Sequence, residues 1–92
     1  LVPPEPNLEA QRLVEEGAHL LDVRSPGEYS GGNLRGSLNI PVQTLAERIG
    51  ELDKSRGVVV YCRSGMRSRS AASMLRAKGF EVYDLGRMSA WG

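Results

Sequence analysis

With 92 residues, the chain has material for one hydrophobic core and not for two, so a single domain over residues 1–92 is expected. Hydrophobic residues at 40% and charged residues at 25% exclude a disordered chain. A formal net charge of +1 leaves no nucleic-acid footprint, so any affinity for anions has to arise locally, where arginines cluster. Aromatics are only 5%, and the core therefore falls to Val, Leu, Ile, Ala and Met. A single cysteine, Cys62, rules out an intrachain disulfide and, with no metal-ligand companions and His19 as the lone histidine, argues against a zinc site. No apolar run reaches the length of a membrane span, and no signal peptide is visible. The chain begins at Leu1 rather than Met, which points to processing or to a piece of a longer protein. A cytoplasmic location is expected, a processed periplasmic form being the alternative.

Pro3, Pro4 and Pro6 give an extended lead-in. Asn7 caps a helix that runs to about Glu16 and stops at Gly17, with Ala10, Leu13 and Val14 on one face. His19 to Val23 is a short buried strand, broken by Ser25-Pro26-Gly27. Residues 28–36 read as a loop with one helical turn near Tyr29. Ser37 to Ile40 is a second strand, closed by Pro41. Val42, Leu45, Ala46 and Ile49 follow a helical period and predict a second helix. After a polar connector at 53–57 comes Val58-Val59-Val60-Tyr61, a β-branched run without alternation that suits a central parallel strand covered on both faces. Arg63 to Met66 forms a short loop, and Ser68 to Lys78 a helix with Ala71, Ala72 and Leu75 facing inward. Phe80 to Leu85 is the last strand, Gly86 its exit, and Met88 to Trp91 a final turn. Helices alternating with strands imply crossover connections and an α/β fold: a small, mostly parallel sheet flanked by helices on both faces.

The segment that carries chemistry is Cys62-Arg63-Ser64-Gly65-Met66-Arg67-Ser68, directly after the central strand. Ligands of open α/β sheets bind beyond the carboxyl ends of the strands, which is where Cys62 falls. Three effects favour its thiolate there: the N-terminus of the following helix, a nest of backbone N–H groups that Gly65 permits, and the charges of Arg63, Arg67 and Arg69. A lone cysteine at a strand end is ordinarily a small buried hydrophobe. The arginine-flanked, glycine-containing loop turns the balance toward a nucleophile in an anion-binding cup.

These residues resemble the active-site loop of single-domain rhodaneses, the sulfurtransferases. The resemblance extends to Leu20-Leu21-Asp22-Val23-Arg24, to Glu28-Tyr29 with Gly32 to Gly36 and Ser37-Leu38-Asn39-Ile40-Pro41, and to Lys78-Gly79-Phe80 with Val82 to Gly86 and Ala90-Trp91. It departs from the family at Asn33, where His is frequent, and at Gly86-Arg87, where a Gly pair is frequent. The resemblance implies a rhodanese-like fold and a sulfur transfer through a Cys62 persulfide, with thiosulfate or another sulfane donor and cyanide or a thiol as acceptor. It implies no metal and no organic cofactor. Cys62 is then the nucleophile, and Arg63, Ser64, Gly65, Met66 and Arg67 form the substrate-binding cup. Asp22 is expected to brace one of the loop arginines, with Arg24 pairing locally with Glu28. Trp91 is read as packing, and His19 as structural or exposed.

Three other readings are weighed beside this one. Phosphatases with a related loop use one more residue between Cys and Arg, whereas four residues separate Cys62 from Arg67. A persulfide carrier would take sulfur from a cysteine desulfurase, pass it to a thiol or thioredoxin-like acceptor, and turn thiosulfate over poorly. A dead interaction module would ordinarily lack the Cys. Neither a nucleic acid nor a membrane is expected as partner, and a monomer or weak dimer is.

Overall fold

The computed structural model of the chain describes residues 6–92. The lead-in prolines Pro3 and Pro4 lie outside the described residues. Four strands form one parallel sheet in the order β2-β1-β3-β4: β1 His19–Asp22, β2 Leu38–Asn39, β3 Val58–Cys62 and β4 Val82–Arg87. Asp22 aligns with Tyr61, and Cys62 with Arg87, so the chemistry-bearing residues share the carboxyl edge. All five residues of β3 are buried, as its unalternating sequence predicts for a strand covered on both sides.

The two faces hold separate cores. On one, Leu21, Val23, Ile40, Val58, Val60 and Cys62 pack against Ala71, Ala72 and Leu75 of α4 (Met66–Ala77) and Leu45 of α3 (Leu45–Arg48). On the other, Leu20, Val59, Tyr61 and Leu85 pack against Ala10, Leu13 and Val14 of α1 (Leu8–Glu15) and against Trp91. Each fully buried Val or Leu contributes roughly 1.5–3 kcal/mol by leaving water. The Asn7 side chain caps α1 through the Ala10 N–H at 3.0 Å. Trp91 packs as expected, and its carbonyl accepts from the Asn7 N–H and from Gln11 Nε2. His19 Nε2 accepts from the Asp53 N–H, a structural role.

Several elements differ from the sequence expectation, each for a local reason. Residues 26–30 form a helix, α2 (Pro26–Ser30), which contains the helical turn expected near Tyr29 and begins earlier, at the Ser25-Pro26-Gly27 expected to break the chain. Ser25 and Glu28 make a complete capping box, and Pro26 stands in the first turn, a start signal present in Ser25-Pro26-Gly27-Glu28. The expected helix over 42–49 is broken into a 3₁₀ turn (Val42–Thr44), the four-residue α3, and a second 3₁₀ turn (Ile49–Glu51). Ala46 is accordingly exposed. The last strand starts at Val82 rather than Phe80, because the Phe80 N–H closes back on the Leu75 carbonyl and the ring enters the core. Gly86 lies inside β4, at an irregularity that skips Leu85 between Asp84 and Gly86.

Candidate active site at the carboxyl edge of β3

Cys62 ends β3 with no exposed surface. Gly65, three residues on, takes φ +102°, and α4 starts at Met66, two residues before the expected Ser68. The early start places the first turn of α4 over the sulfur. Cys62 Sγ accepts from the Gly65 N–H at 3.0 Å and from the Ser68 N–H at 3.3 Å. Gly65 offers α4 no side-chain cap, and the sulfur takes a donor that the helix itself leaves unpaired. The Met66 and Arg67 N–H groups of the same turn have no backbone acceptor.

Burial by itself raises the Cys62 thiol, yet the group ends below its ordinary value. The Ser68 N–H, the Ser68 hydroxyl, and the Gly65 and Ser64 N–H groups outweigh the burial by favouring the thiolate. Of the three effects expected from sequence, the helix terminus and the nest dominate, and no arginine is among the leading causes. Ser68 is the site residue that sequence reasoning missed. It is fully buried, and its hydroxyl also reaches the carbonyls of Gly65 at 3.1 Å and Gly86 at 3.3 Å, tying the loop to β4. The signal that would have found it is the position of Gly65, which fixes where α4 begins. Ser68→Ala keeps the N–H on Sγ but removes the hydroxyl that ties this turn to β4 and favours the thiolate, so the Cys62 thiol is expected to titrate higher. Iodoacetamide alkylation followed against pH should show the profile displaced upward and the rate at neutral pH reduced, with Ser68→Thr restoring both.

The ion pairs are exchanged relative to the sequence expectation. Asp22 braces neither Arg63 nor Arg67. It pairs with Arg24 at 2.6 Å, the two side chains being 0% and 7% exposed. The Asp22 carboxylate accepts from Arg24 Nε, Nη2 and the backbone N–H, and this bonding raises the Arg24 pKa against burial. Arg24 also donates to the Gly32 carbonyl at 2.7 Å and lies 5.7 Å from the centre of the Tyr61 ring. Glu28, expected on Arg24, instead grips Arg67 with both oxygens, at 2.6 and 3.0 Å. The Arg67 guanidinium and the Ser25 N–H hold the Glu28 carboxyl down at about 2. Because that value is depressed, the stabilisation from this link is complete above about pH 4.5 and is lost as pH falls toward 2.

Arg63 and Ser64 are exposed beside the cup, and Met66 is 80% exposed at its rim. An open groove of about 460 Å³ runs alongside, walled by Arg24, Glu28, Gly32, Arg63, Met88 and Ser89. A cavity of about 170 Å³ between Leu13, Val58 and Tyr83 lies at the amino ends of β3 and β4, away from Cys62. Among the described residues no cluster of His, Cys, Asp or Glu has the arrangement of a metal site, and no helix is long and apolar enough to cross a membrane.

A parallel α/β sheet with a cysteine cupped by the loop at the end of its central strand defines a rhodanese fold. A family model described as a rhodanese-like domain matches residues 7–92, and the chain belongs to that family. It is 37% identical over 92 residues to the thiosulfate sulfurtransferase GlpE of Pseudomonas syringae, a match covering 98% of this chain and 84% of that protein. It is 42% identical over 77 residues to the Bacillus subtilis protein YqhL, covering 82% of this chain and spanning 61% of the length of that relative. Among solved structures, the rhodanese with anions from E. coli superimposes with a TM-score of 0.75 at 34% identity, over 80% of this chain and 91% of that one.

Proposed function

We propose that the protein is a sulfurtransferase that carries sulfane sulfur as a persulfide on Cys62. The observation that carries this reading is the sulfur of Cys62 held by the Gly65 and Ser68 N–H groups and biased toward the thiolate. In the first step the Cys62 thiolate attacks the outer sulfur of a donor such as thiosulfate. A Cys62 S–S bond forms, the S–S bond of the donor breaks, and sulfite leaves with the electron pair. The Met66 and Arg67 N–H groups, which have no backbone acceptor, receive the terminal sulfur of the persulfide. In the second step cyanide or a thiolate attacks that sulfur, and Cys62 departs as thiolate. Arg63, with its exposed side chain, draws the anionic donor to the cup, whose base is made by the Ser64 and Gly65 backbone.

Arg67 acts differently from the sequence expectation. Its guanidinium is neutralised by Glu28, so it ties α2 to the cup and adds little free charge for a dianion. That pairing favours, as a second reading, a carrier that receives sulfur from a protein such as a cysteine desulfurase and turns thiosulfate over slowly. Two variants test the assignment in opposite directions. Glu28→Gln frees Arg67 and is expected to raise kcat/KM for thiosulfate. Arg67→Ala leaves the Glu28 carboxylate unpaired beside the cup and is expected to lower it. Steady-state thiocyanate formation measures both, and equal effects of the same sign would contradict the reading that Glu28 neutralises Arg67 beside the cup.

A further inference from the structure

Three arginines lie on the segments that meet at Cys62, and among the described residues none of them has a carboxylate partner. Arg63 follows Cys62, Arg69 lies in the first turns of α4, and Arg87 is the β4 register partner of Cys62. All three are exposed, and none forms an ion pair among the described residues. The two carboxylates at this edge are already taken, Asp22 by Arg24 and Glu28 by Arg67. Asp84 of β4 lies one level deeper, beside Val60, and accepts from the Gly86 N–H. The whole chain carries +1, so with these three arginines set apart the remainder stands at −2. Much of the acidic character sits elsewhere: Glu9, Glu15 and Glu16 on or next to α1, against the opposite face of the sheet, and Asp53 and Glu81 near the amino ends of the strands. Met66, the first residue of α4 and between Arg63 and Arg69 in the chain, has 80% of its surface exposed.

From this arrangement we infer that the face around Cys62 docks a protein partner whose contact surface is acidic and carries the thiol that exchanges sulfur with Cys62. The inference rests on the reading of Cys62 as a sulfur carrier. Charge complementarity commits the choice of partner: unpaired arginines steer an acidic surface and fix its register. Arg63 also serves the small anionic donor, whereas Arg69 and Arg87 lie outside the Cys62 to Arg67 loop, and a ligand on the buried sulfur is held by backbone N–H groups. The exposed Met66 supplies an adaptable apolar contact beside Cys62, which suits a protein surface. Single-stranded nucleic acids rely on aromatic stacking, and among the described residues the exposed large apolar side chains are Leu8, Leu38 and Met66, none of them aromatic. In the docked pair the partner thiolate attacks the terminal sulfur of the Cys62 persulfide. A new S–S bond forms on the partner, the bond to Cys62 breaks, and Cys62 leaves as thiolate.

The test uses protection of Cys62 from iodoacetamide by synthetic peptides of equal length, a serine flanked by aspartates, by asparagines or by lysines. At low salt the aspartate peptide is expected to slow alkylation several-fold and the other two to leave it unchanged. The protection should vanish in 1 M salt, where the screening length is about 3 Å. It should also be lost in the double variant Arg69→Gln, Arg87→Gln, whose alkylation without peptide stays as in the parent, since no arginine is among the leading causes of the Cys62 shift. Equal protection by the asparagine peptide, protection that survives high salt, or stronger protection by a single-stranded oligouridylate of the same charge would overturn the inference. Alkylation needs only the thiolate, so the result stands apart from the persulfide reading, which the mass gain with thiosulfate tests without peptide.

Discussion

Cys62→Ser abolishes sulfur transfer. Thiocyanate formation from thiosulfate and cyanide is expected to fall at least about a thousandfold, the scale on which removal of a covalent nucleophile acts. The reason is chemical and local. A serine hydroxyl in the same cup can accept from the Gly65 and Ser68 N–H groups, but it is not ionised near neutral pH and forms no persulfide. The fold should survive, because the smaller polar atom keeps the donors that held Sγ. Urea unfolding should therefore place the variant close to the parent while turnover is lost. Retained turnover would sink the mechanism, and loss of folding together with turnover would reassign Cys62 to packing.

The largest effect on stability belongs to a residue two positions beyond β1. Arg24→Met leaves the Asp22 carboxylate, with no exposed surface, without its countercharge. Breaking one side of a buried pair costs about 3–5 kcal/mol. The variant also takes the guanidinium from the Gly32 carbonyl and from the Tyr61 ring, so the groove wall at Gly31-Gly32 loses its tie to the sheet. Chemical denaturation should show that loss, and the double variant Asp22→Asn, Arg24→Met should regain a good part of it, since no unpaired charge remains. A cost below about 1 kcal/mol, the range of an exposed pair, would contradict the burial that the structure assigns to Asp22 and Arg24.

Both residues show where sequence reading runs out. Asp22 was legible as a carboxylate at a strand end, and the loop arginines as charges near Cys62. Which arginine meets which carboxylate depends on how α2 lies against α4. Glu28 and Arg67 are 39 positions apart, and no local pattern joins them. Arg24 was close at hand in sequence, yet its guanidinium turns back onto Asp22 because the chain leaves the sheet at Val23 and wraps the Gly31-Gly32 segment over it.

Other parts were legible because a single cue decides them. An uninterrupted β-branched run can hardly be anything but a covered strand, and Val58 to Val60 is the centre of the sheet. Gly65 announced a left-handed turn, and the turn is there at φ +102°. The same glycine moves the start of α4 forward to Met66, which brings Ser68 onto the sulfur, a consequence reached only by counting the helix from its true first residue. The α2 signal was in plain view as Ser25-Pro26-Gly27-Glu28, where Pro-Gly reads equally well as a breaker. The helix over 42–49 failed for the opposite reason, since apolar spacing gave the face but not the hydrogen bonds: Leu45 is buried while Ala46 faces outward between two 3₁₀ turns.

The most direct test of the persulfide is the intact mass of the protein after incubation with thiosulfate, before and after cyanide. A nucleophilic Cys62 predicts a gain of one sulfur atom that cyanide removes and that Cys62→Ser never shows. An unchanged mass, both with thiosulfate and with a cysteine desulfurase and cysteine as donor, would contradict sulfur transfer at Cys62.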